Sequence, residues 1–461
     1  MRKVQRRKGR KRKGNPLKGL TKLNLNAAGI DIGSAAHYVA VPQDSDPKPV
    51  QKFMSYTNDL YRLANWLEAC GVETVAMEST GVYWIPIFDI LQERGFEVIL
   101  VNARHVKNVP GRKTDVLDCQ WLQQLHTYGL LRGSFRPDQE FVILRSYVRQ
   151  RDMLVQDASS HIQHMQKALS LMNIQLHNVI SDITGVTGMR ILRAIVGGNY
   201  QPNDLAQFRD PRCKASIEEI TESLTGYYRP EHIFSLNQAL QLYDFYQERI
   251  QECDSKIEAI LKHLENTSPQ REPLTHQRKR HLSKTEPRFE IRSPLYALTG
   301  VDLTSITSIG PHSALKIISE IGTDMTRWPS KKHFASWATL APHNKITGGK
   351  VRSSRTIPSN NRVATALRLA AMNVGRSQTA LGAFYRRKAA QIGKAKAITA
   401  TAHKLAQIIY SMIKKGTTYQ EPGADLYELQ YRKRVIKNLK KRAKNLGFQL
   451  VPSSPVTEGV S

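Results

Sequence analysis

The sequence predicts an α/β domain followed by a mainly α-helical remainder. Three observations carry this. Short apolar runs alternate with amphipathic segments between residues 26 and 135. Two long stretches with apolar residues three to four apart follow, within 136–265. A basic, helix-patterned region then runs from 295 to 425. At 461 residues the chain has room for two to four domains of about 100–200 residues each.

The elements follow in order. Residues 1–25 form a basic tail with almost nothing apolar, expected to stay disordered until it meets phosphates. AAGIDIGS (27–34), HYVAVP (37–42) and PVQKFMSY (49–56) read as strands. NDLYRLANWLEAC (58–70) has helical spacing with Asn58 as its N-cap. VETVAMES (72–79) is a strand, VYWIPIFDILQERG (82–95) a helix and FEVILVNA (96–103) a strand. Three strands, then helix, strand, helix, strand, is the order of a ribonuclease-H-like sheet, although other α/β folds share it. Residues 138–176 and 234–265 read as long helices, packed either as a hairpin within the chain or as the coiled-coil spine of a dimer. A polar linker spans 266–294, and 426–461 is a second basic tail. ITGVTGMRILRAIVGG (183–198) echoes ITSIGPHSALKIISEIG (306–322), each a helix-hairpin-helix-like turn with Gly between helices.

The charge balance narrows the partners. Lys plus Arg number 68 and Asp plus Glu 39, so the net charge is +29. An acidic small-molecule pocket does not need such a surplus; a polyanion does, either nucleic acid or an anionic membrane surface. No apolar run is long enough to span a membrane, and no apolar h-region follows the basic start. The four cysteines are scattered without a CxxC pair, which fits a reducing cytoplasm and, with nucleic acid as partner, the bacterial nucleoid. The fourteen histidines show no zinc-ligand spacing.

Four acids stand out: Asp31 in the first strand, Glu78 at the end of the fourth, and Asp115 and Asp118 three apart, on one helical face. In a ribonuclease-H-like sheet the first and fourth strands are neighbours, so the four would converge. Packed carboxylates repel, and Mg²⁺ relieves them through oxygen ligands. Two such ions are machinery for in-line attack on a phosphodiester. Taken singly, Asp115 reads first as a helix cap and Glu78 as a solvated strand end; four acids at these positions favour the metal site. Tyr83 and Trp84 read as core residues before base-stacking ones.

GIDIGS (29–34), AMESTGVYW (76–84) and GRKTDVLDCQWL (111–122) resemble the amino-terminal half of the DEDD transposases of the one-ten family of insertion sequences, which includes the Piv-type invertases. Residues 305–355 and 381–416 resemble the carboxyl-terminal half of its eleven-eleven subgroup. The resemblance implies a RuvC-type catalytic domain, a coiled coil and a helical transposase domain. It implies Asp31, Glu78, Asp115 and Asp118 as the metal-binding catalytic acids, donor and target DNA as substrates, a bridge RNA as guide, and dimers that become tetramers in synapsis. It also implies a nucleophilic serine where APHNKITGGK (341–350) carries Thr347. Thr keeps the hydroxyl but is β-branched and stiffer. Arg112, Lys113, Lys350, Arg352 and Arg355 are candidate nucleic-acid contacts, with a solvated surface as the plain alternative. Two rival functions stay open: a junction-selective nuclease using water as nucleophile, and a disabled nucleic-acid-binding derivative.

Overall fold

Between Ala27 and Val101 the apolar segments become five strands: β1 (Ala27–Ile32), β2 (Ala36–Ala40), β3 (Val50–Met54), β4 (Thr74–Glu78) and β5 (Glu97–Val101). The computed structural model describes residues 20–102, 115–274 and 283–451, which divide after Arg136 into two units. In the first unit the strand order is β3-β2-β1-β4-β5. β1 pairs antiparallel with β2 and parallel with β4, and β4 pairs parallel with β5. The central strands are buried on both faces, so β4 is apolar from Val75 through Met77 before it ends in Glu78.

One face of the sheet carries Ala28, Ile30, Val75 and Met77 against helices α1 (Thr57–Ala69) and α2 (Ile85–Glu93). α3 (Asp115–Thr127) covers the other, with Trp121 and Leu122 against Ala76 and Val101. The cap expected of Asn58 is corrected: Tyr56 occupies the N-cap of α1 without a side-chain bond. Nearby, Asp59 accepts a hydrogen bond from the Met54 amide and tethers the first turn to β3. The tail also ends earlier than 25, because the Leu23 and Asn24 amides donate to the Thr127 carbonyl.

Two imidazoles sit in the sheet's interior. His37 and His126 are each 1% exposed, and burial pushes both below the usual histidine range. Unfolded, they take a proton near pH 6.5; folded, only at lower pH. Below about pH 6.5 the unfolded chain therefore binds more protons, and stability falls as pH falls. The urea midpoint of the first unit should drop through this window. His126→Gln, which can still bond Thr74, should drop less; equal slopes would acquit this imidazole.

The second unit begins with two long helices, α4 (Gln139–Leu171) and α9 (Pro230–Asn266), packed antiparallel within the chain. Buried Arg151 of α4 donates to Asp254 of α9 and to the Thr285 carbonyl. Between them α5 (Leu176–Val179), α6 (Val186–Val196), α7 (Pro202–Ala206) and α8 (Ile217–Leu224) close a small core. α10 (Arg292–Thr299), α11 (Pro311–Ile321) and α12 (Lys331–Trp337) follow, with α11 held to α4 by the bidentate Arg149–Glu320 pair.

Past α12 the region is mostly helical, with one ribbon that the sequence reading did not include. A two-stranded ribbon, β6 (Lys345–Thr347) and β7 (Lys350–Ser353), precedes α13 (Arg362–Val374), α14 (Ala380–Ile392), α15 (Lys394–Lys415) and α16 (Ala424–Asn445). The basic stretch expected as a tail is thus a helix through Asn445. Lys, Arg, Leu and Ala favour helix once a neighbour anchors it. Among the described residues no helix is long and apolar enough to cross a membrane.

Candidate functional site

Asp31 and Glu78 meet through strand register. β1 pairs Ile30 with Met77, so one residue further along the same ladder sets Asp31 level with Glu78. Alternation decides the face. Gly29 and Asp31 point the same way, as do Thr74, Ala76 and Glu78. That face is the one under α3.

The direction of α3 is fixed by three contacts. His126 lies 2.8 Å from the Thr74 hydroxyl at the start of β4. Gln123 donates to the Ala27 carbonyl at the start of β1. Cys119 and Gln123 press on Gly29 so closely that a Cβ there would stand 2.5 Å from the Cys119 carbonyl oxygen and 2.3 Å from the Gln123 nitrogen. The helix runs back along the strands, so its amino-terminal turn lies at the carboxyl ends of β1 and β4. Asp118 belongs to that turn and is half-buried, as is Asp31; Glu78 is 8% exposed.

One thiol registers this crowding. Burial, then the Asp31 charge, then that of Asp118 push Cys119 up to about 12. The thiol donates to the Val116 carbonyl. Thr80 stands 3.5 Å from a Glu78 oxygen. Asp31, Glu78 and Asp118 offer carboxylate oxygens, the donor type that a hard divalent cation takes. Among the described residues no three His, Cys, Asp or Glu side chains form a metal-holding group. The Asp115 side chain, Arg112 and Lys113 lie outside the described residues.

Thr347 belongs to the second unit. It ends β6 and pairs with Lys350 across Gly348 and Gly349, whose φ values are +56° and +72°. Two successive left-handed residues make the mirror-image turn that joins twisted strands, and glycine adopts it without strain. Thr347, Lys350, Arg352 and Arg355 are all exposed. Lys350 and Arg352 both lie on β7, whose register against β6 shifts between Lys345 and Ile346. The ribbon was missed because its strands are three and four residues long and bury nothing; Gly-Gly between β-formers was the available signal.

Tyr83 and Trp84 part company. Tyr83 is 47% exposed, whereas Trp84 packs edge-on against Phe88 and donates to the Gly81 carbonyl. The sequence echo has a structural counterpart: Gly185 and Gly310 are the N-caps of α6 and α11, each 11 residues long. Only short helices directly precede them, α5 in one case and the three-residue 3-10 turn Leu303–Ser305 in the other. Sequence reasoning also missed Gln123 and Gly29. An isolated glycine in an apolar strand was the signal for a close backbone approach.

Comparison with known proteins adds two family matches. Residues 28–174 match a transposase model for the DEDD transposases of IS110, and residues 302–386 match one described as transposase of the IS116/IS110/IS902 family. An uncharacterized 43.6 kDa protein of insertion element IS110 from Streptomyces coelicolor is 29% identical over 121 residues, or 26% of this chain and 29% of the relative. The aligned part thus spans under a third of that relative. The first match lies over the sheet and the start of the long-helix region, the second over the carboxyl-terminal helices.

Proposed function

We propose that this protein is an insertion-sequence transposase that cuts and rejoins DNA strands. In this reading the first unit is a ribonuclease-H-like domain of the RuvC type, for which the strand order β3-β2-β1-β4-β5 is the support. The observation that supports the function is the ladder pairing Ile30 with Met77, whose next residues, Asp31 and Glu78, lie at one end of the sheet under the turn of α3 that holds Asp118. Asp31, Glu78 and Asp118, with Asp115, would hold Mg²⁺. An ion held by these residues would supply positive charge for the phosphate under attack.

Thr347 is the proposed nucleophile. Its hydroxyl oxygen bonds to a DNA phosphorus and gives up its proton, while the deoxyribose oxygen leaves and takes one up. The resulting ester conserves the broken bond, so a new strand end can reverse the step. Lys350, Arg352 and Arg355 flank the hydroxyl with positive charge for phosphate oxygens. Arg112 and Lys113, which precede Asp115 in the sequence, are assigned the same role. The net charge of +29 suits polyanionic partners; in this reading they are a bridge RNA with donor and target DNA, held by dimers that join as a tetramer.

Dependence on a divalent ion tests this reading. Cleavage of supercoiled donor DNA should vanish in EDTA and return with added Mg²⁺. Undiminished cleavage in EDTA would remove the acids from the chemistry.

A further inference from the structure

We infer that α16 is a separate duplex-DNA-binding element that lies in the major groove. It falls outside both family matches, which end at Ile174 and at Arg386. Residues 429–451 hold eight Lys or Arg and no Asp or Glu. No residue of α16 is buried. Its first turns seat on α14, where the Arg387 guanidinium lies 4.7 Å from the Tyr427 ring and 3.6 Å from that of Tyr431. From Arg432 to Asn445 the helix leaves that support, and all but Val435 and Ala443 are exposed. This free length is about 21 Å at about 1.5 Å per residue.

The charges are arranged as well as numerous. Lys433, Lys437, Lys440, Lys441 and Lys444 fall at i, i+4, i+7, i+8 and i+11, one face of the helix. Ile436, Leu439 and Leu446 form an adjacent aliphatic stripe and are 40%, 47% and 74% exposed. Pairing with a second copy along that stripe is disfavoured. Arg432 would enter the seam as a d residue, and in an antiparallel pair the flanking Lys433 and Lys440 would face like charges. A polyanion suits the same surface. A helix about 10–12 Å across fits the roughly 12 Å major groove of B-form DNA, whereas the A-form RNA groove is too narrow. The lysine face then follows phosphates, and the aliphatic stripe meets thymine methyls on the groove floor.

The test uses the full chain and a variant with the five lysines changed to Gln, matched by thermal unfolding. Binding is measured against salt on duplex DNA, duplex RNA and anionic vesicles. The slope of log affinity against log salt on duplex DNA should become shallower by about 4.5, each phosphate contact contributing about 0.9. Loss on duplex RNA should be much smaller. An unchanged DNA slope, an equal loss on duplex RNA, or a loss confined to vesicles would overturn the assignment. Strand cleavage measured in parallel separates this result from the catalytic reading, since retained cleavage with an unchanged slope fails the helix alone.

Discussion

Asp31→Asn should reduce DNA strand cleavage by about 10²–10³-fold, the range seen when a group stabilising transition-state charge is removed. The substitution keeps the shape and one oxygen but removes the charge that would hold the cation. Asp31 is half-buried at the end of the ladder beside Glu78, so no surface group replaces it. Glu78→Gln should cost a similar factor, and the double variant little more, because residues that act as a unit are not additive. Plasmid nicking, with thermal unfolding as the control for folding, measures both. Wild-type nicking by Asp31→Asn would mean that this edge of the sheet is not where DNA is cut.

Gly29→Ala should damage stability and activity together. The new Cβ would stand 2.3 Å from the Gln123 nitrogen and 2.5 Å from the Cys119 carbonyl oxygen. Both are backbone atoms, so no rotamer change relieves the clash and α3 itself must lift. Overpacking of this kind costs about 1–3 kcal/mol. α3 also carries Asp118, and a misplacement of about 1 Å at a reacting centre costs on the order of 10²-fold. Urea unfolding and plasmid nicking should therefore both fall. An alanine variant as stable and active as the parent would show that α3 does not depend on this close seat.

The sheet was legible because each strand kept its own pattern. Ile30, Ile32, Val75 and Met77 alternate with residues of the α3 face, and the intervening helices have clear apolar stripes. Which acids share a strand end was also legible, since Asp31 and Glu78 close two apolar runs. Helix boundaries were less so. Asn58 has good capping chemistry, yet Asp59 is the residue whose carboxylate takes up a free amide, that of Met54. The direction of α3 depends on Gln123, His126 and the bare backbone of Gly29, long-range contacts that local propensity does not encode. The ribbon around Gly348 and Gly349 and the helix after Gly423 share another cause. Neither buries an apolar face, so periodicity had little to register.

The most direct test of cutting and rejoining through a protein ester is a covalent trap. Purified protein is mixed with supercoiled donor and target DNA, Mg²⁺ and RNA from the flanking non-coding DNA, then quenched in SDS. A protein–DNA band is expected with the parent chain, absent in Thr347→Ala and Asp31→Asn, and retained in Thr347→Ser. Cleaved DNA with no adduct, or an adduct that survives Thr347→Ala, would contradict the assignment of Thr347 and favour water or another residue as the nucleophile.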